Sequence, residues 1–256
     1  MANHLKRINI LGVHINPINM GETLLFISDL IAHQDHRFIC VTPAHSIMDA
    51  IADDSFRYIL NSSGLTTPDG MSVVWILRLL GHKEVNRVYG PDLLLETCRA
   101  GLPHTWRHYF YGGEDGVAEN LVAQLMANYP ELQVAGTYTP PFRPLTPDED
   151  EEIINTLNET KADIVWVGLS SPKQERWMAE HLGKINAPVM IGVGAAFDFL
   201  SGSKSQAPRW IQRSGFEWLF RLVNEPKRLW PRYRKYPLFV WLVLLQLLGL
   251  KRFPIE

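Results

Sequence analysis

Residues 163–193 read DIVWVGLSSPKQERWMAEHLGKINAPVMIGV, and this stretch decides the fold. It opens with an apolar run that ends at Gly168 and Leu169. A helix-like segment follows over 172–181, and a second apolar run over 189–193 closes the unit. Both runs are continuous, not alternating, as expected for strands covered on both faces. Outward from this strand–helix–strand unit the pattern repeats. Further apolar runs stand at 7–15, 37–42, 108–111 and 133–137. Helix-like stretches stand at 20–32, 46–52, 71–80, 91–100, 117–128 and 148–158. Such alternation predicts an α/β protein with a mainly parallel sheet.

The chain has 256 residues, enough for one large domain or two small ones with a substantial core. With 46% hydrophobic and 20% charged residues it has the balance of a folded protein. Twenty-five Lys and Arg against 27 Asp and Glu give no overall field that would argue for nucleic acid. The charge is unevenly placed, with acids crowded over 148–152 and bases dominant from Lys204 onward. Cys40 and Cys98 lack any metal-like spacing and read as reduced thiols. The N-terminus shows no signal-peptide pattern. The apolar run 237–250, interrupted by Gln246, is shorter than the roughly 20 residues of a spanning helix. A composition change near Gly202 divides the chain into a body, 1–202, and a basic, aromatic appendage, 203–256.

In open α/β sheets ligands collect at the C-terminal ends of strands, and four such ends are loaded here. The first is Val41-Thr42-Pro43-Ala44-His45, where Thr42 can either bond a ligand or cap the next helix. The second is Thr67-Pro68-Asp69-Gly70. Its carboxylate is suited to a general base, or to capping the helix that begins near Met71. The third is Tyr111-Gly112-Gly113, where glycines allow backbone N–H groups near a phosphate, or simply a tight turn. The fourth pairs the Lys173-Gln174-Glu175 helix start with Gly192-Val193-Gly194-Ala195-Ala196-Phe197-Asp198. This begins like a dinucleotide fingerprint, but Phe197 replaces its third glycine, which disfavours a nicotinamide cofactor. Asp148-Glu149-Asp150 matches a DxD metal motif. It also follows Thr146-Pro147, which makes it the first turn of a capped helix, so no metal site is assigned. His104 and His108 are four apart, with a strand beginning between them, and read as separate residues.

The chain resembles the WecG/TagA/CpsF family of glycosyltransferases. The resemblance lies in TPDGMSVVW (67–75), RVYGPDL (87–93), YGG (111–113), VGLSSPKQERW (167–177), IGVGAAFDFLSG (191–202), APRW (207–210) and GFEWLFRLVNEPKRLWPRY (215–233). It implies a Rossmann-like nucleotide-sugar fold with helices on both faces and a helical C-terminal appendage. It also implies inverting, metal-independent transfer from a UDP-sugar to an undecaprenyl-pyrophosphate-linked sugar at the cytoplasmic face of the membrane, without a cofactor. N-acetylmannosamine is the best-known sugar, with glucose and mannosaminuronic acid as alternatives, for teichoic acid or exopolysaccharide synthesis. By the same resemblance Asp69 is the base. Thr42, Arg87, Gly112, Gly113, Gln174, Glu175 and Asp198 line the donor pocket, with Gly192 and Gly194 of the same motif. Arg221 acts on the departing phosphate, and Arg228 and Arg232 hold phosphate or acceptor. Ala44 stands where many members have Asn, which leaves the donor sugar open. A non-catalytic UDP-sugar-binding regulator is the competing reading, and a homo-oligomer is left open.

Overall fold

The computed structural model describes residues 5–255. Strands are β1 Ile8–Ile10, β2 Val13–Ile15, β3 Arg37–Thr42 and β4 Leu65–Pro68, then β5 Arg107–Gly112, β6 Gln133–Tyr138, β7 Ile164–Gly168 and β8 Val189–Gly192. The first helices are α1 Met20–His33, α2 Ala44–Ala52, α3 Asp54–Ser62, α4 Met71–Leu79, α5 Gly90–Gly101 and α6 Val117–Asn128. Next come α7 Pro147–Glu159, α8 Lys173–His181 and α9 Ala196–Leu200. The C-terminal region is helical: α10 Arg209–Ser214, α11 Glu217–Asn224, α12 Pro226–Tyr233 and α13 Tyr236–Leu247. The main sheet has six strands in the order β4-β3-β8-β7-β5-β6. Its pairings β3 with β8, β8 with β7, β7 with β5 and β5 with β6 are parallel.

The chain forms two compact units. The first comprises residues 21–40 and 90–205 and contains most of the sheet. All four residues of β8 and the first four of β7 are buried, which is why these strands read as unbroken apolar runs. Trp166, Phe110, Phe197 and Ile39 are at its core, each at most 1% exposed. Full burial of side chains of this size contributes roughly 1.5–3 kcal/mol apiece. β6 is the edge and has no fully buried residue, consistent with its weaker apolar pattern. His108 is buried in β5, and its Nδ1 accepts from Trp166 Nε1 at 3.0 Å. Both cysteines are buried free thiols.

The second unit comprises residues 5–20, 41–89 and 206–255. Residues 7–15, expected as a single strand, form an antiparallel hairpin, β1 with β2. Leu11 and Gly12 turn it through positive φ, 54° and 87°. A turn led by leucine carries no composition signal, and apolar residues on both sides concealed the break. α13 lies along α2. It buries Phe239, Leu242 and Val243 on one side and leaves Val240, Trp241, Leu244 and Leu247 exposed on the other. Gln246, the polar interruption in the apolar run, serves the hairpin. Its Oε1 accepts from Leu11 N at 2.9 Å and its Nε2 donates to Asn9 O at 3.1 Å. Among the described residues no helix is long and apolar enough to cross a membrane.

Candidate active site

In the second unit the chain leaves β4 through Pro68 into Asp69 and Gly70, and α4 begins at Met71. Gly70 is the N-cap of α4, and no side chain caps that helix. Asp69 therefore does not cap it. Its backbone N–H donates to the Thr42 carbonyl at 3.2 Å, and its Oδ1 accepts from Arg87 Nε at 2.8 Å. Oδ2 makes no hydrogen bond among the described residues. Thr42, the last residue of β3, is buried, and the N-cap of α2 is Pro43, which removes helix capping as its role.

Arg87 is held from three directions. Besides Asp69 it donates from Nη1 to Glu217 Oε2 at 2.5 Å, and its guanidinium carbon lies 3.9 Å from the centre of the Tyr89 ring. Val88 N–H donates to the Pro68 carbonyl at 3.0 Å and fixes this loop to the end of β4. Tyr89 is buried and its hydroxyl accepts from Gln206 Nε2 at 3.2 Å. Burial alone would pull the Arg87 guanidinium down, but the Asp69 and Glu217 carboxylates outweigh it and hold the group above its ordinary value. Burial pushes the Tyr89 phenol up, with Glu217 adding to the effect.

Beside this triad the same unit carries a basic and aromatic cluster from α11, α12 and the start of α13. Tyr233 and Tyr236 rings lie 5.1 Å apart, and Trp218 meets both edge-on. Burial depresses Arg221, but Tyr233 and Glu217 overcome it, so the guanidinium stays above its ordinary value. Arg232 is lowered by burial and by Arg228, while Arg228 itself pairs with Glu225 at 2.5 Å. His45 stacks edge-on with Tyr233. Burial, with Arg232, Arg221 and Lys235 nearby, pushes its imidazole down to about 3, so it is neutral at pH 7. Lys235 pairs with Asp49 at 2.6 Å.

The first unit gathers the other sequence candidates at the ends of β5, β7 and β8. Gly112 has φ +121°, and a Cβ there would meet the Gly168 backbone at 2.8 Å, so the two strand ends close together only because residue 112 is bare, while a Cβ on Gly168 would meet the Phe197 ring at 2.7 Å. Gly113 N–H donates to the Gly168 carbonyl at 3.2 Å. Gln174 and Glu175 turn inward at the start of α8, 3% and 1% exposed, with Gln174 Nε2 donating to Glu175 Oε1 at 3.0 Å. A Cβ on Gly192 would fall 2.9 Å from Gln174 Nε2, so glycine there makes room for that amide. Gln174 Oε1, buried and without a hydrogen-bond partner among the described residues, lies beside Gly194. Phe197 fills the place of a third glycine and packs on Gly168 and Phe110. Asp198 pairs with Lys204 at 2.6 Å. The acidic 148–150 stretch is a helix start: Thr146 Oγ1 accepts from Glu149 N–H and Glu149 Oε2 from Thr146 N–H. Asp150 bonds His181 at 3.0 Å.

Sequence reading passed over Glu217, Tyr89, His45 and Lys204 as site residues. Glu217 stands among basic residues at a helix start, where an acid is expected for the dipole. Its approach to a residue 130 positions away leaves no local signal.

Each unit thus carries candidate ligand-binding groups at strand ends, a carboxylate in the second and buried amides and bare glycines in the first. The family model described as Glycosyl transferase WecG/TagA/CpsF family matches residues 8–253, and the chain belongs to this family. It is a glycosyltransferase, not a non-catalytic regulator. Among its relatives is the N-acetylglucosaminyldiphosphoundecaprenol N-acetyl-beta-D-mannosaminyltransferase of Bacillus subtilis (strain 168). It is 30% identical over 196 residues, which are 76% of this chain and 74% of the relative. The protein of the same name from Staphylococcus aureus (strain MW2) is 25% identical over 237 residues, 92% of this chain and 91% of that one.

Proposed function

We propose that this glycosyltransferase moves N-acetylmannosamine, or a related hexose, from a UDP-sugar to an undecaprenyl-diphosphate-linked N-acetylglucosamine, inverting the anomeric centre without a metal. The acceptor is that of the relatives' names. The product is a lipid-linked intermediate of cell-surface polysaccharide at the inner face of the membrane. The observation that carries the mechanism is the placement of Asp69. It stands at a strand end, turned away from the helix it was free to cap, with Oδ1 on Arg87 and Oδ2 open.

Inversion needs one displacement and hence one base. Asp69 Oδ2 takes the acceptor hydroxyl proton as that oxygen attacks the anomeric carbon, and the bond to UDP breaks. Negative charge grows on the departing diphosphate. Arg221, kept cationic by its surroundings, stabilises that charge with Arg228 and Arg232. Each such donor is worth about 10²–10³ in rate. In the first unit Gln174, Glu175, Gly112, Gly113, Gly192, Gly194 and Asp198 are assigned to the donor, and in the second Thr42 and Arg87. Gln174 Oε1 supports this, because a buried amide oxygen needs a donor that a ligand N–H or O–H can supply.

The test is UDP release across a panel of UDP-sugars, with a lipid-diphosphate N-acetylglucosamine acceptor and EDTA present. One donor should support acceptor-dependent release, and Asp69→Asn should reduce its turnover by about 10²–10⁴-fold. Full turnover by the variant removes Asp69 from the mechanism, and loss of wild-type release in EDTA removes metal independence.

A further inference from the structure

We propose that Glu217 is a positioning residue for Asp69, acting through Arg87. It holds the Nη1 arm of the guanidinium and shares its charge, so that Arg87 is fixed with Nε on Asp69 Oδ1 and its charge is not spent on Asp69 alone. This rests on the reading of Asp69 as the base.

An arginine beside a carboxylate ordinarily engages both oxygens with two parallel N–H groups. Here the two carboxylates divide one guanidinium, Asp69 taking Nε at 2.8 Å and Glu217 taking Nη1 at 2.5 Å. Tyr89 covers one face of the group, so it cannot turn freely. All three charged side chains are at most 18% exposed, which keeps the electrostatics strong. A cation held entirely by Asp69 would make its carboxylate a weaker base. Glu217 takes a share of that charge.

The groups facing this centre come from every element around it. Arg87 and Tyr89 lie on the loop after α4, Glu217 and Arg221 on α11, Tyr233 on α12 and Tyr236 on α13. The three tyrosines are pushed above their ordinary values by burial, and the arginines stay charged, so none of them titrates on the acid side.

The experiment is a pH–rate profile of kcat for the full chain with the donor selected above, for wild type, Glu217→Gln and Glu217→Asp. In Glu217→Gln the undivided charge of Arg87 should move the acid limb about one unit to lower pH. Turnover should fall about tenfold. Glu217→Asp restores the charge but is one methylene short. Its limb should return toward wild type while turnover stays reduced. A merely structural role would lower activity at every pH without moving the limb. A folded Glu217→Gln enzyme with the wild-type limb overturns the inference. If that variant does not fold, Glu217→Asp decides it: a limb and turnover both equal to wild type overturn it. Should Asp69→Asn prove fully active, the base reading itself fails. An inactive Asp69→Asn with an unmoved Glu217→Gln limb refutes only the role of Glu217.

Discussion

His108 shows what a buried imidazole costs a protein when pH falls. It lies inside β5, 0% exposed, and burial pushes it down to about 4. Its Nδ1 must stay unprotonated to accept from Trp166. The unfolded chain takes up the proton near the ordinary value of 6.5, the folded chain only near 4. The stabilising contribution is therefore complete above 6.5 and lost as pH drops through that window. At pH 5 about 2 kcal/mol should be gone, 1.5 units below the unfolded value at about 1.4 kcal/mol per unit. His45, pushed down to about 3, loses a similar amount over the same window, so the His108 share is the difference between wild type and a folded His108→Asn variant, whose dependence in urea unfolding at pH 7.5 and pH 5 should be flatter. A wild type equally stable at both values would contradict it. Residues of this kind, like Asp69 and Glu217, owe their properties to neighbours 18 to 130 positions away. The sequence shows the carboxylate at a strand end but not its partner, because nothing local couples residue 87 to residue 217.

Elements were legible where their cause is local. The capping box at Thr146 is written in four consecutive letters, and the helix starts where they place it. Thr146→Ala should cost about 1 kcal/mol and lower Tm by roughly 2–4 °C in a chain of this size, measured by calorimetry, while Glu151→Ala nearby should change little. The central strands were legible too, because burial on both faces demands unbroken apolar runs. β4 was not. Its four residues, Leu-Thr-Thr-Pro, are all buried but half of them are threonine, so no apolar run announces it. The hairpin at 8–15 was missed for a related reason, since Leu11 at φ 54° turns where no Gly-Asn or Pro-Gly pair warns of it. α13 was seen as an apolar run, but its two faces emerge only from packing: one on α2, one outward.

At the scale of the whole molecule, the exposed side of the C-terminal helices bears on where the enzyme works. Val240, Trp241, Leu244 and Leu247 on α13 and Val223 and Trp230 on α11 and α12 are all exposed, with Lys227, Arg228 and Arg234 among them. Bases near anionic lipid gain about 1 kcal/mol each, and aromatic and aliphatic side chains can enter the interface. We propose that residues 203–256 hold the enzyme to the membrane surface. Trp241→Glu with Leu244→Glu, both on the outward side, should abolish co-sedimentation with vesicles containing anionic lipid while leaving the melting temperature near wild type. Unchanged co-sedimentation would refute membrane contact through this face.

The second unit is assembled from three separated stretches, and the last of them supplies Glu217, Arg221 and the helix that Gln246 fastens to the hairpin. Synthesis proceeds from the N-terminus, and domains generally fold as units as they emerge. The first unit is complete in the nascent chain once Ser205 has cleared the ribosome, whereas the second must wait for residues made some 50 positions later. Arg87 is thus translated early yet lacks its second carboxylate partner until Glu217 follows, 130 positions later. A chain released before residue 217 would lack the carboxylate that shares Arg87 with Asp69. Competence for sugar transfer is in this sense a late event in the life of each molecule, set by the order in which the ribosome delivers its parts.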